Sequence, residues 1–217
     1  IAYADLGNSY YGTAVVGTVS GTSISFGTPV VFNSAQSNGD MSIVFDDNAG
    51  KVVISYQDGG TNTGESVVGT VSGTSISFGS TATFLNNDFS QLVAAYDTNL
   101  NKVLLVCRDA TISNKNVGVV GTVSGTSISF GSTATVNSSI VPSRTNIVFD
   151  SNANKFLIIY YNSGIYQGPA ISNVATISGT SVTFGSDVTF HTGGTDYMAA
   201  SFDSDANKIL VVYEDSG

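Results

Sequence analysis

The chain repeats itself, and that limits its fold more than any other feature. The stretch Gly-Thr-Ser-Ile-Ser-Phe-Gly begins at Gly21, Gly73 and Gly125, and a variant, Gly-Thr-Ser-Val-Thr-Phe-Gly, begins at Gly179. Successive starts lie 52, 52 and 54 residues apart, and residues 67–83 are identical to residues 119–135. A fixed period of this size makes each copy one supersecondary unit. Such a unit is too small to bury an apolar face alone, so neighbouring copies must supply one another's core. The 217 residues therefore read as one continuous body of four tandem units of about 52 residues.

Each unit reads as four strands separated by turn-forming residues. In the copy spanning about 40–84, residues 41–45 form the first strand, and Asp46-Asp47-Asn48-Ala49-Gly50 supplies a polar turn. Residues 51–56 form the second strand, and a loop over 58–64 leads to the third at 66–71. Ser72-Gly73 makes a tight hairpin turn into a fourth strand at 74–84. The result is a four-stranded antiparallel meander.

Side-chain patterning orders these strands from inside to outside. Leu92-Val93-Ala94-Ala95-Tyr96 and Val103-Leu104-Leu105-Val106-Cys107 are apolar without alternation, so the first two strands are expected to be covered on both faces. The fourth strand alternates Ile76 and Phe78 with Ser75 and Ser77, as in a sheet with one wet face. Sheets set radially and packed face to face produce this gradient, because inner strands are covered from both sides. The expected fold is all-β, a β-propeller of four-stranded antiparallel blades.

The units MSIVFDDNAGKVVISY, LVAAYDTNLNKVLLVC, NIVFDSNANKFLIIYY and MAASFDSDANKILVVY, the first three followed by VVGTVSG-like and SISFG-like strands, carry a family likeness. Across nearly its whole length the chain resembles propeller repeats of the WD-repeat and YVTN type. Blades are placed at about 40–84, 90–136 and 144–190, with a composite fourth blade from 196–214 plus 12–32 that would close the ring. Residues 1–5, IAYAD, align with residues 54–58, ISYQD, and are left as a spare second strand. Either the chain is a slice of a longer array, or the spare strand pairs with another molecule by strand addition.

Composition narrows the partners. Charged residues are only 11% of the chain, and Ser, Thr, Asn and 24 glycines take over solvation, a style that suits an extracellular or surface protein. No apolar run is long enough to span a membrane as a helix. A net charge of -9 repels nucleic acid and anionic membrane faces, and the seven basic residues are scattered rather than clustered. The single cysteine, Cys107, rules out an intrachain disulfide and a cysteine-based metal site, and its apolar strand suits a buried thiol. The chain opens at Ile1 without a signal-like segment, as a processed or partial product would.

Two periodic sets of polar residues stand out. Asp46, Asp97, Asp150 and Asp203 each begin an Asp-x-[Asn/Asp]-x-[Asn/Gly]-Lys turn. The late bidentate Glu of a calcium loop is missing, so these are read as hairpin turns. The second set follows the second strand: Asp5, Asp58, Asp109, Asn162 and Asp215. Asp58, Asp109, Asn162 and Asp215 form a possible ligand face at one end of a central channel, suited to a cation or a sugar; the competing reading is that each initiates a turn.

The copies differ most in the loops NSAQSNGD, LNNDFS, NSSIVPSRT and HTGGTD, which makes that end the natural binding surface, although drift in unconstrained loops gives the same pattern. Asn137-Ser138-Ser139 is a formal glycosylation acceptor. His191 has no second ligand type around it, and Tyr10, Tyr11, Tyr160, Tyr161 and Tyr166 fall mostly in strand patterns that suit packing. No constellation for catalysis, cofactor or metal emerges. The sequence points to a non-enzymatic extracellular structural or adhesive module of a microbial or viral surface assembly. Its partners would be further copies, joined in a head-to-tail filament through residues 1–5, or cell-surface glycans if it is instead a carbohydrate-binding propeller.

Overall fold

The computed structural model describes residues 1–136, 140–165 and 168–215. The fold is all-β, with 68% of the chain in strands and 3% in helix, arranged as several antiparallel sheets.

Three complete units share one plan. Strands one to three are Phe89–Asp97, Lys102–Asp109 and Lys115–Ser124 in the second of them, and Pro142–Asp150, Lys155–Asn162 and Ala170–Ser178 in the third. The first complete unit uses the later part of Val30–Asp46, then Lys51–Asp58 and Thr63–Ser72. The fourth strand departs from expectation by splitting in two. Ser75–Phe78 pairs with the outer half of strand three and Ala82–Leu85 with its inner half, and the break falls at Gly79.

That break has a packing cause. A Cβ built on Gly79 would lie 1.8 Å from the carbonyl oxygen of Thr126 in the next unit's turn. Gly27 meets Thr74 and Gly131 meets Thr180 in the same way, at 1.9 Å each. The repeated heptapeptide is therefore a lock between units. Its first glycine takes a left-handed φ of +59° to +62° in the tight turn, while its last abuts the turn that follows one period later.

The polar turns behave as expected. Oδ1 of Asp46 accepts from the Ala49 amide at 2.9 Å, that of Asp97 from Asn99 and Leu100, that of Asp150 from Asn152 and Ala153, and that of Asp203 from Asp205 and Ala206. The residue before each lysine is Gly50, Asn101, Asn154 or Asn207, with φ between +52° and +62°, the left-handed conformation these residue types tolerate.

Successive sheets pack face to face. Val103, Leu105 and Cys107 of the second complete unit lie against Val53 and Val68 of the first. On the opposite face, Leu104 and Val106 meet Phe156, Ile158 and Tyr160 of the third. Strand two is thus buried on both sides, as its unbroken apolar run requires, and each such side chain contributes roughly 1.5–3 kcal/mol relative to exposure. Strand one is less covered. It is the edge strand of its sheet, and Val93 to Tyr96 are only half-buried. Ile43 and Phe45 are 48% and 57% exposed, because the preceding unit offers no strand one to cover them.

The chain ends correct two expectations. Ala2–Asp5 is not spare within the chain: it pairs with Tyr11–Ala14, with Asp5 opposite Tyr11 just as Asp109 lies opposite Lys115. It is strand two of an incomplete leading unit, whose further strands are Gly17–Ser20 and Ser23–Phe26. The composite sheet of 196–214 with 12–32 does not form. Thr195–Asp203 and Lys208–Asp215 pair only with each other among the described residues, and the edge they would need on Tyr11–Ala14 is already taken by Ala2–Asp5.

Candidate functional site

Most of the polar residues that close strand two are engaged by their own turns. Oδ1 of Asp58 accepts from the amides of Gly60 and Thr61 and from the Thr61 hydroxyl, and the carboxylate is buried. Asp109 accepts from the Thr111 amide and hydroxyl at 2.8 and 2.7 Å, and from Asn87 at 3.3 Å. Asp5 and Asn162 accept from Gly7 and Gly164, and Asp215 lies 3.2 Å from Nε2 of His191. These contacts favour the turn-initiating reading of Asp58, Asp109 and Asn162 over a ligand face. Asn137 and Tyr166 lie outside the described residues.

Cys107 and the buried tyrosines are structural. Burial pushes the Cys107 thiol well above its ordinary range, as expected of an inert core cysteine. Tyr160 donates to Asp187 at 2.7 Å and Tyr56 to Glu65 at 3.1 Å; burial first and the neighbouring carboxylate second raise both phenols above their usual range. No group of three or more His, Cys, Asp or Glu is placed to hold a metal ion among the described residues.

A different cluster forms where strand one begins. Each strand one carries a β-bulge against strand two. The register shifts between Ser90 and Val93, Ser143 and Asn146, and Asp196 and Ala199, each admitting one extra residue. The first complete unit bulges between Asn38 and Ser42, where Gly39 has φ +75°. At the other three bulges the left-handed residue is not glycine: Gln91 has φ +59°, Arg144 +54° and Tyr197 +44°. A left-handed residue with a Cβ costs about 1–2 kcal/mol, so something in the surroundings holds each of them there.

The bulge residues reach from unit to unit. The Gln91 amide donates to the Asp40 carboxylate. The Gln91 side chain donates to the Ser143 hydroxyl at 3.2 Å and accepts from the Thr145 amide at 3.4 Å. Nε of Arg144 donates to Asp196 at 2.8 Å, and the guanidinium lies 4.4 Å over the Tyr197 ring, an ion pair and a cation–π contact on one side chain. Between these side chains opens a cleft of about 340 Å³, lined by Asp40, Gln91, Ser143, Arg144, Thr145 and Tyr161, with Leu92 and Val93 beside them.

No protein-family model matches the chain, and no curated protein shows significant similarity to it.

Part of this cleft lies in segments that diverge between copies: Asp40 ends one variable loop, and Ser143, Arg144 and Thr145 end another. Gln91, Tyr161 and Tyr197 do not stand out in the sequence as one site, since nothing in a glutamine or tyrosine announces a bulge. The usable signal is alignment of the copies inside the strands. The bulge position reads Asp40, Gln91, Arg144, Tyr197, and the strand-two position near it reads Gln57, Arg108, Tyr161, Glu214, whereas the turn Asp and Lys never change.

Proposed function

We propose that the chain is a non-enzymatic, extracellular structural or adhesive module of a microbial or viral surface assembly, built of propeller-type blades that associate head to tail. One observation carries this reading. The same face-to-face junction recurs between near-identical sheets, and the two outermost sheets leave the corresponding apolar positions uncovered. Leu104 and Val106 are 0% exposed at an inner junction, while Leu210 and Val212 at the same strand positions are 65% and 55% exposed. At the other end Ile24 and Phe26, equivalents of Ile76 and Phe78, are also exposed. Contiguous apolar faces of this kind mark association surfaces, and the surface that fits them is another unit of the same repeat, in a heterologous contact that does not close on itself.

Support for the blade arrangement comes from the strand-one segments, since those of successive units lie beside one another along the chain, a neighbour relation that a radial set of sheets also has. Light scattering over a concentration series tests the association: the mass of the 217-residue chain rises with concentration, and Leu210→Glu with Val212→Glu abolishes the rise. A monodisperse monomer at high concentration defeats the reading. Electron micrographs test the blades, since sheets stacked in a straight line rather than turning about an axis would exclude a propeller.

A further inference from the structure

We propose that the cleft over the strand-one bulges, between Asp40, Gln91 and Arg144, binds a neutral polyhydroxylated ligand: one ring of a saccharide. The inference stands apart from the module's structural role. Three observations converge on the cleft. Its volume of about 340 Å³ falls at the low end of the ~300–1,000 Å³ typical of small-molecule sites. Its bulges keep Gln91 and Arg144 in a left-handed conformation that glycine would adopt without strain. Its lining diverges between units that are elsewhere nearly identical, with Asp40, Gln91 and Arg144 at one equivalent position. In the first complete unit glycine takes the left-handed place one residue earlier, at Gly39, and leaves the equivalent position to Asp40. Three different hydrogen-bonding side chains bring a carboxylate, an amide and a guanidinium to a single space.

The chemistry of that space selects the ligand. Carboxylate, amide and guanidinium are planar groups with paired donors or acceptors, and each can bridge two adjacent hydroxyls. Ser143 and Tyr161 add hydroxyls, and the Tyr161 ring offers an apolar face to a sugar's C–H surface. An anionic ligand fits poorly: Arg144 is already paired with Asp196 at 2.8 Å, and Asp40 adds a further negative charge in a chain of net charge -9. An apolar ligand fits no better, because it would strip water from the polar atoms of the lining and offer no hydrogen bond in return. Next to the cleft, Arg108 donates to the Pro142 carbonyl at 3.4 Å while its buried Nε has no partner among the described residues.

The test is ligand-observed NMR on the whole chain with neutral hexoses and N-acetylhexosamines, offered free and as short linear oligosaccharides, beside sialylated glycans. Saturable binding of a neutral sugar at one site per chain is expected, with the oligosaccharide arm showing whether a free ring or a chain is preferred. Gln91→Gly and Arg144→Gly remove the side chains and relieve the backbone together. Each is expected to leave the melting temperature unchanged or higher while weakening binding by ~10-fold or more, the loss of about 1.4 kcal/mol. Thr98→Ala, on an exposed turn at the far end of strand one, leaves binding intact. Three results would overturn the proposal: no neutral sugar saturates, sialylated glycans bind and neutral ones do not, or both glycine variants bind as well as the parent.

Discussion

The junction between the second and third complete units and the outer face of the trailing strands place the same residue type at the same strand position, with opposite results. Leu104 and Leu210 both stand two places after the lysine that opens strand two. Leu104 is 0% exposed because Phe156, Ile158 and Tyr160 lie across from it, whereas Leu210 is 65% exposed with no described strand opposite. Burial in a repeat array is thus conferred by the neighbour and not by the strand's own pattern. The same rule holds for strand one: Ile43 and Phe45 are exposed, and their equivalents Ile147 and Phe149 are half-buried against the core.

Truncation at these two leucines sets the comparison at its widest. Leu104→Ala opens a cavity in the packed junction and is expected to cost about 2–5 kcal/mol in denaturant titration, while Leu210→Ala in dilute solution stays within about 0.5 kcal/mol. Equal costs would mean that the outer face is covered in solution, or that the inner junction is not closed.

The glycine lock gives the next largest contrast. Gly79→Ala drives a methyl group to 1.8 Å from the Thr126 carbonyl oxygen, a backbone atom that cannot rotate aside. Gly185 occupies the same place in the third complete unit, but no further unit's turn reaches it, and its nearest atom is the Val174 oxygen at 3.5 Å. Overpacking of the first kind costs about 1–3 kcal/mol; Gly185→Ala is expected to be close to neutral. Comparable melting-temperature losses for both would show that the glycine serves its own strand and not the junction.

How much of this is legible in the sequence depends on whether the cause is local. The hairpin turns, the Asp46-type turns and the alternation of Ser75, Ile76, Ser77 and Phe78 follow from residue type and near neighbours, and the structure has them as read. The double-sided burial of Val103 to Val106 is legible too, because an unbroken apolar run in a strand puts apolar side chains on both of its faces, and both then need cover. Two things are not. The exposure of Ile43 and Leu210 depends on which unit is absent opposite, and no strand encodes that. The cleft joins Asp40, Gln91 and Arg144, which meet only because bulges in three different units face one another; the left-handed backbone at Gln91 and Arg144 has no signature in side chains that usually avoid it.

Alkaline pH probes the inner junctions through their buried tyrosines. Tyr56 and Tyr160 are fully buried and each donates to a carboxylate, so folding favours the neutral phenol and raises its pKa. A folded-state value above the unfolded one of about 10 leaves stability intact below that pH and erodes it above, as the unfolded chain releases protons the folded chain keeps. Stability is expected to fall above about pH 10, by up to about 1.4 kcal/mol per pH unit for each tyrosine. Tyr160→Phe should flatten that fall while lowering stability at neutral pH through loss of the hydrogen bond to Asp187. A urea series at pH 8, 10 and 11 that shows no steepening would contradict this.

The smallest effect asks where the difference between inner and outer regions stops. Gly125 lies in an inner hairpin and Gly21 in the leading half-unit, yet their φ values are +61° and +59°, and a Cβ on either meets nothing within 4 Å. Substituting alanine therefore introduces no clash and removes no packing. What remains is the cost of a left-handed residue with a side chain, about 1 kcal/mol, and it is set by the turn's own backbone. Amide exchange across the two hairpins should report the same loss for Gly125→Ala and Gly21→Ala, although the leading hairpin exchanges faster in the parent chain. A clearly larger loss at Gly125 would mean that neighbouring units tighten the turn itself, and the line between local turn chemistry and conferred burial would have to be drawn further inside each hairpin.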